Sequence, residues 1–423
     1  MKRSRFVGIL SIKKISEFLK KTFIPLLILL FTDLQSQVSI QGLHYKNGKP
    51  IRITIKDGKI ETISYLKSLN SQHQYYTIAP GLFDNQVNGF AGVSFALGNH
   101  DLTEAGIEKA TTELWKKGIT SYLPTLTTHS KEVLVTNFKI LANAIRNEKS
   151  AGSIVGFHLE GPYINAEDGY RGAHPRQYVR LPDWNEFMEL FEASGKNIKE
   201  VTLAPELPGA MEFIKKATAL GVTVAIGHHN ANKSQVDEAV KSGAKIATHL
   251  GNGCANMIHR HHNPLWPQLA NDDLMISIIC DGFHLLPEEI STFYKTKGVH
   301  KTIITSDVTS FAALPPGMYK TQTGEDIELT EEGKLHYPAQ QIMYGSAAPL
   351  SNGIGNIMKY TSCSLGDAIQ MASTNVARLY NLNDRGELKK GMRADIILFS
   401  LINSKINIRQ TYVKGSLVYD ASK

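Results

Sequence analysis

Eight short apolar runs, each followed by polar residues and most of them by a stretch with helical spacing, fill the middle of this 423-residue chain. They occupy residues 80–83, 121–123, 154–159, 201–204, 222–226, 246–248, 275–280 and 302–305. Helical candidates lie between them, among them 103–117, 131–147, 184–193, 211–220 and 233–241. Strand–helix alternation of this kind implies parallel βαβ units. Eight such units point to an α/β chain folded as a (β/α)8 TIM barrel.

The two ends read differently. Residues 37–63 divide into short strands punctuated by Asn47-Gly48 and Asp57-Gly58, and such Asx-Gly pairs signal hairpins. Near the other end, 394–399 reads as a strand after Gly391, and 410–419 turns at Lys414-Gly415. Both ends are therefore β-rich.

Residues 1–36 are set apart. A basic stretch precedes the nine-residue apolar run 23–31, and polar residues 32–37 follow. That is the order of a secretory signal. Nine apolar residues are too few to span a bilayer, which takes roughly 20. Export to a periplasmic or membrane-tethered location is expected if the segment is a signal, and a cytoplasmic location otherwise. An uncleaved anchor and an unstructured extension are the competing readings. No stable membrane partner is expected beyond this segment.

The formal net charge is +7, from 46 basic and 39 acidic residues. Seven of the basic ones (Lys2, Arg3, Arg5, Lys13, Lys14, Lys20 and Lys21) stand in 1–36 against Glu17 and Asp33, which leaves 39 against 37 elsewhere. A nucleic-acid binder should carry a basic stripe in its body. None is visible, and no nucleic-acid partner is expected. Cys254, Cys280 and Cys363 contain no CxxC pair and read as ordinary thiols.

In a TIM barrel the active site forms where the strands end. Asp84, Gln86 and Asn88 come after the first run, Glu160 after the third, His228 and His229 after the fifth. His249 follows the sixth, Asp281 and His284 the seventh, and Asp307 the eighth. Singly each has an ordinary explanation: a structural hydrogen bond for a histidine, a helix N-cap for an aspartate. Capping does not account for the set. Glu160, His228 and His249 together suit one divalent metal ion. Three protein ligands leave a position for water, which such an ion acidifies towards a pKa of about 7. A carboxylate must then move the proton, and Asp307 is the candidate.

These residues carry a resemblance to the amidohydrolase superfamily and, within it, to the N-acetylglucosamine-6-phosphate deacetylases, over roughly residues 38–420. Where most amidohydrolases have His-x-His after the first strand, this chain has Gln86-Val87-Asn88, like the deacetylases. The segments HLEGP at 158–162, Gly227-His228, Thr248-His249 and Ser306-Asp307 are similar to the family's ligand and catalytic segments. The resemblance implies a small β-sandwich domain built by both chain ends. Its parts would be 37–78 and 385–423, flanking a barrel over 79–384.

The resemblance also implies one metal ion rather than two, with Zn²⁺ the first expectation and Fe, Co or Mn the alternatives. It assigns His174, in Gly172-Ala173-His174, to the substrate acetyl group as a second catalytic residue. It assigns substrate contacts to Ala173, Asn252, Gly253, Arg260, His284 and Gly345. The expected reaction is removal of the N-acetyl group from N-acetylglucosamine 6-phosphate or a close N-acetyl amino sugar, by a homodimer. The surroundings of Arg260, IHRHHNPLW at 258–266, depart from the family's glycine-rich form, and an exported enzyme would seldom meet a sugar phosphate. Two alternatives stand beside this. One is an amidohydrolase that cuts a cyclic imide or an N-acyl amino acid. The other is a barrel that binds a ligand without turnover.

Overall fold

The computed structural model describes residues 38–70, 76–96, 102–146, 150, 152–321, 324–339 and 342–423. The signal-like residues 1–36 lie outside them.

Strands β1 (Val38–His44), β2 (Pro50–Lys56), β3 (Lys59–Tyr65) and β4 (Thr77–Pro80) come from the N-terminal end. β2 and β3 pair as a hairpin closed by Asp57-Gly58, with φ of 52° and 71°. Two positive φ values are what a type I′ turn requires, which is why Asx-Gly marks it in sequence. β1 runs parallel to β4.

Gly81 alone separates β4 from the first barrel strand, β5 (Leu82–Val87). After a small hairpin, β6 (Gly89–Phe90) with β7 (Val93–Ser94), the barrel continues through β8 (Ile119–Thr127), β9 (Phe157–Glu160) and β10 (Ile198–Leu203). It is completed by β11 (Thr223–Ile226), β12 (Ile246–Ala247), β13 (Met275–Ile279) and β14 (Thr302–Thr305). Neighbours pair in chain order and in parallel. The ring comes together where Val87 bridges Val308 and Asn88 N donates to Val308 O at 2.8 Å. Strands covered on both faces need no polar side, which explains the unbroken apolar runs.

Two strands outrun their apolar signal. β5 carries Asp84 and Gln86 inside it. β8 continues past Pro124, a residue that argues against a strand in sequence, as far as Thr127. The helices follow their periodicity closely. Trp184–Ala193 is capped by Asp183, whose side chain accepts from Asn185 N and Glu186 N. Its Phe187, Leu190 and Phe191 join the main core, and Phe187 meets Phe213 edge-on at 5.0 Å.

After β14 the chain makes a four-stranded antiparallel sheet that the sequence reading did not anticipate. It comprises β15 (Gly317–Lys320), β16 (Asp326–Leu329), β17 (Leu335–Tyr337) and β18 (Ile342–Met343). Ile327, Leu329 and Leu335 form its own small core. Finally β19 (Ile396–Ile402), β20 (Lys405–Val413) and β21 (Ser416–Asp420) return to the N-terminal strands. β19 pairs with β4, giving one seven-stranded sheet ordered β21-β20-β19-β4-β1-β2-β3. Both chain ends thus share a sheet beside the barrel, as expected.

Candidate active site

Alternation along β9 sends Phe157 and Leu159 to one face and His158 and Glu160 to the other. His158 lies 2.8 Å from Thr202 Oγ1, and Thr202 is 2.7 Å from Thr248 Oγ1. Glu200, fully buried, accepts from Asn85 Nδ2 at 3.2 Å and from the Tyr380 hydroxyl. Sequence reading missed this polar layer, because single polar residues inside apolar runs carry no distinctive spacing.

Glu160 ends β9, and His228, His249 and Asp307 each stand two residues beyond β11, β12 and β14. These strands belong to one ring and end on the same side of it, so residues 147 positions apart in the chain, at the extremes Glu160 and Asp307, meet at one mouth. Glu160 Oε1 lies 3.3 Å from His228 Nε2 and 2.8 Å from His249 Nε2. One ligand atom from each of the three lies within 4.8 Å of the others, and all three residues are buried. His228, His249 and Asp307 have φ of 52°, 32° and 53°. Left-handed backbone at non-glycine residues costs of order 1–3 kcal/mol each, and such residues gather at functional sites.

The donor set fits a divalent ion. His228 Nδ1 donates to Tyr170 O at 2.9 Å, which leaves Nε2 with its lone pair facing inward. His249 Nδ1 is buried with no hydrogen-bond partner among the described residues. Burial raises the Glu160 carboxyl, but the imidazoles of His228 and His249 beside it outweigh that and hold the group well below the ordinary carboxylate value. It therefore stays a carboxylate, as a ligand must. Gly253 presses on His228: a Cβ there would stand 2.7 Å from Nδ1, at φ +59°.

Asp307 is anchored by the two amides of the first strand's end. Gln86 Nε2 donates to its Oδ1 at 2.9 Å and Asn88 Nδ2 at 2.7 Å. Burial, then the charge of Glu160, raises the Asp307 carboxyl; a cation between the two would reverse the second effect. His174 stands with its ring 4.4 Å from that of His228, and burial followed by the His228 charge pushes it down to about 3. It is a neutral imidazole there.

The remaining candidates divide. Asn252 lies beside His249, its N donating to His249 O at 2.9 Å. Gly345 adjoins Ser346, whose N donates to Asp307 O at 3.0 Å. His284 Nδ1 is 2.7 Å from Asp281 Oδ2, so that aspartate orients it. Ala173 is exposed on the His174 loop. Arg260 joins none of these contacts: it is exposed, and its carbonyl accepts from Trp266 Nε1 at 2.8 Å.

The Amidohydrolase family model matches residues 77–418. The chain is 32% identical over 357 residues to the N-acetylglucosamine-6-phosphate deacetylase of Bos taurus, covering 82% of this chain and 84% of the relative. The enzyme of that name from Caenorhabditis elegans is 33% identical over 353 residues, covering 81% and 82%. The chain belongs to the N-acetylglucosamine-6-phosphate deacetylase family of amidohydrolases. A deacetylase structure from Thermotoga maritima superposes with a TM-score of 0.79 at 26% identity, over 91% of this chain and all of that one. A β-aspartyl dipeptidase from Fervidobacterium islandicum, at 15% identity and a TM-score of 0.55, shares the fold alone. Within the amidohydrolases, the Gln86–Asn88 pair now has a physical use beyond replacing two imidazoles: it holds Asp307.

Proposed function

We propose that the chain hydrolyses the acetamide of N-acetylglucosamine 6-phosphate, releasing acetate and the free amino sugar. The observation that carries this reading is the meeting of Glu160, His228 and His249 beside an Asp307 held by two amides. The names of the curated relatives supply the substrate.

Glu160, His228 and His249 would hold one divalent ion, proposed to be Zn²⁺ because two imidazoles and a carboxylate suit it. When bound, the ion supplies Lewis acidity to a water molecule and to the amide carbonyl. Asp307 Oδ2, which takes no hydrogen bond from the described residues, accepts the proton of the attacking water. It then passes that proton to the amide nitrogen as the C–N bond breaks. His174, neutral, donates an N–H towards the carbonyl oxygen as charge builds there. His284, Asn252, Gly253, Ala173 and Gly345 line the approach of the sugar.

Arg260 is the proposed contact for the 6-phosphate, and its exposure suits a group that reaches a ligand or a second subunit in a homodimer. Residues 1–36 support export, by their basic-then-apolar order. Among the described residues no helix is long and apolar enough to cross a membrane. The deciding experiment is acetate release from N-acetylglucosamine with and without the 6-phosphate, before and after chelation. No release from either compound by the metal-loaded protein would overturn the reading. Turnover of a cyclic imide or an N-acyl amino acid instead would move the chain to another amidohydrolase activity.

A further inference from the structure

His174 reaches the site on the loop that follows β9, and that loop fixes its backbone: Arg171 Nη1 donates to His174 O at 2.6 Å. The ring needs a separate hold, since a side chain with two free torsions can present either nitrogen to the mouth. That hold comes from another strand. His174 Nδ1 lies 2.7 Å from Thr128 Oγ1, and Thr128 is the first residue after β8. Thr128 is buried at 1% exposure, and its hydroxyl makes no other hydrogen bond among the described residues. Its rotamer is confined as well. The backbone of Gly161 lies directly on it, so that a Cβ at 161 would stand 2.2 Å from Thr128 Oγ1. The hydroxyl is thus packed between the exit of β9 and the imidazole.

We propose that Thr128 is a positioning residue that sets both the orientation and the tautomer of His174. A neutral imidazole that donates from Nε2 must accept at Nδ1. The Thr128 hydroxyl donates its proton to Nδ1, which leaves the Nε2–H to point at the substrate carbonyl. With an apolar group in place of the hydroxyl, Nδ1 is buried without a partner, and the tautomer with its proton on Nδ1 becomes competitive. That tautomer presents a lone pair to a developing oxyanion, and the two repel. The inference rests on the reading of His174 as the carbonyl's hydrogen-bond donor.

The test uses the metal-loaded full chain with N-acetylglucosamine 6-phosphate. Thr128→Val keeps the shape and removes the hydroxyl. It is expected to lower kcat by about 10- to 100-fold with KM changed less than about threefold, while metal content stays at the wild-type level. Thr128→Ser keeps the hydroxyl and is expected to restore kcat to within about fivefold of wild type. In a His174→Gln background, Thr128→Val should cost nothing further, because the two act as one unit.

An independent readout is the ¹⁵N spectrum of histidine-labelled protein. The Nε2–H pattern of the His174 ring should persist in Thr128→Ser and shift in Thr128→Val. A His174→Gln variant with full activity would refute the role given to His174. A slow His174→Gln beside a fully active Thr128→Val with unchanged ¹⁵N shifts would refute the Thr128 proposal alone. Should Thr128→Val fail to fold, Thr128→Ala with the same ¹⁵N comparison decides, and an unchanged tautomer there overturns the proposal.

Discussion

Replacing Asn88 by alanine removes the shorter of the two hydrogen bonds on Asp307 Oδ1, the one at 2.7 Å. A hydrogen bond to a charged acceptor contributes about 1.5–3 kcal/mol. Expressed wholly in the transition state, at about 1.4 kcal/mol per factor of ten, that amounts to a fall in kcat of about 10- to 150-fold. Gln86 still donates to the same oxygen at 2.9 Å, so the lower end applies. The expectation is a loss of about 10- to 30-fold, with Gln86→Ala similar and the double variant worse than the product of the two. The assay is acetate release at saturating substrate, with metal content measured on the same preparations. A kcat within twofold of wild type at full metal content would refute the reasoning. A fall in kcat that tracked metal loss would refute it too, by assigning Asn88 to the ion rather than to Asp307.

Asp307→Asn should retain the metal and lose turnover by about 100-fold or more, measured as acetate release beside metal analysis. Glu160→Gln and His228→Ala should each lose the metal, and an unchanged content after dialysis would remove that residue from the ligand set. Gly253→Ala should weaken metal retention and lower stability by about 1–3 kcal/mol, read by chelator competition and urea unfolding, because its new Cβ collides with His228. Burial raises the Asp84 carboxyl from 3.8 to about 6 despite hydrogen bonds from Ser306, Gln86 and Thr305. Because the folded value is the higher one, the folded chain holds more protons across this window. Asp84 should therefore take about 3 kcal/mol from the stability as pH rises from about 4 to about 6, and Asp84→Asn should remove that contribution, read as the difference between the two pH profiles in urea titrations.

The barrel was legible because its strands are buried on both faces and its helices on one, so both periods survive in the residues. Glu160, His228, His249 and Asp307 were legible because a strand end converts chain position into spatial position. Thr128 was not, because β8 runs on through Pro124 and hid its true end four residues past Leu123. The use of Gln86 and Asn88 was not legible either. They read as poor metal ligands, and their service to Asp307 exists only once β5 and β14 close the ring. The β15–β18 sheet escaped notice because its short strands are partly exposed and so carry no unbroken apolar run of the kind that marks the barrel strands. Glu200 and Tyr380 stand 180 positions apart in the chain, with nothing local to link them.

One excursion of chain, between β9 and the helix at Trp184–Ala193, bears two unrelated duties. Its Tyr170 carbonyl steadies His228, and its His174 faces the acetyl group's expected seat. Any remodelling of that excursion would disturb ion retention and carbonyl activation together, so neither is open to separate adjustment there. Among the described residues, the segment 255–262, which bears Arg260, makes no hydrogen bond to Glu160, His174, His228, His249 or Asp307. A substitution confined to that segment would therefore leave the hydrogen bonds that hold His228 and Asp307 in place.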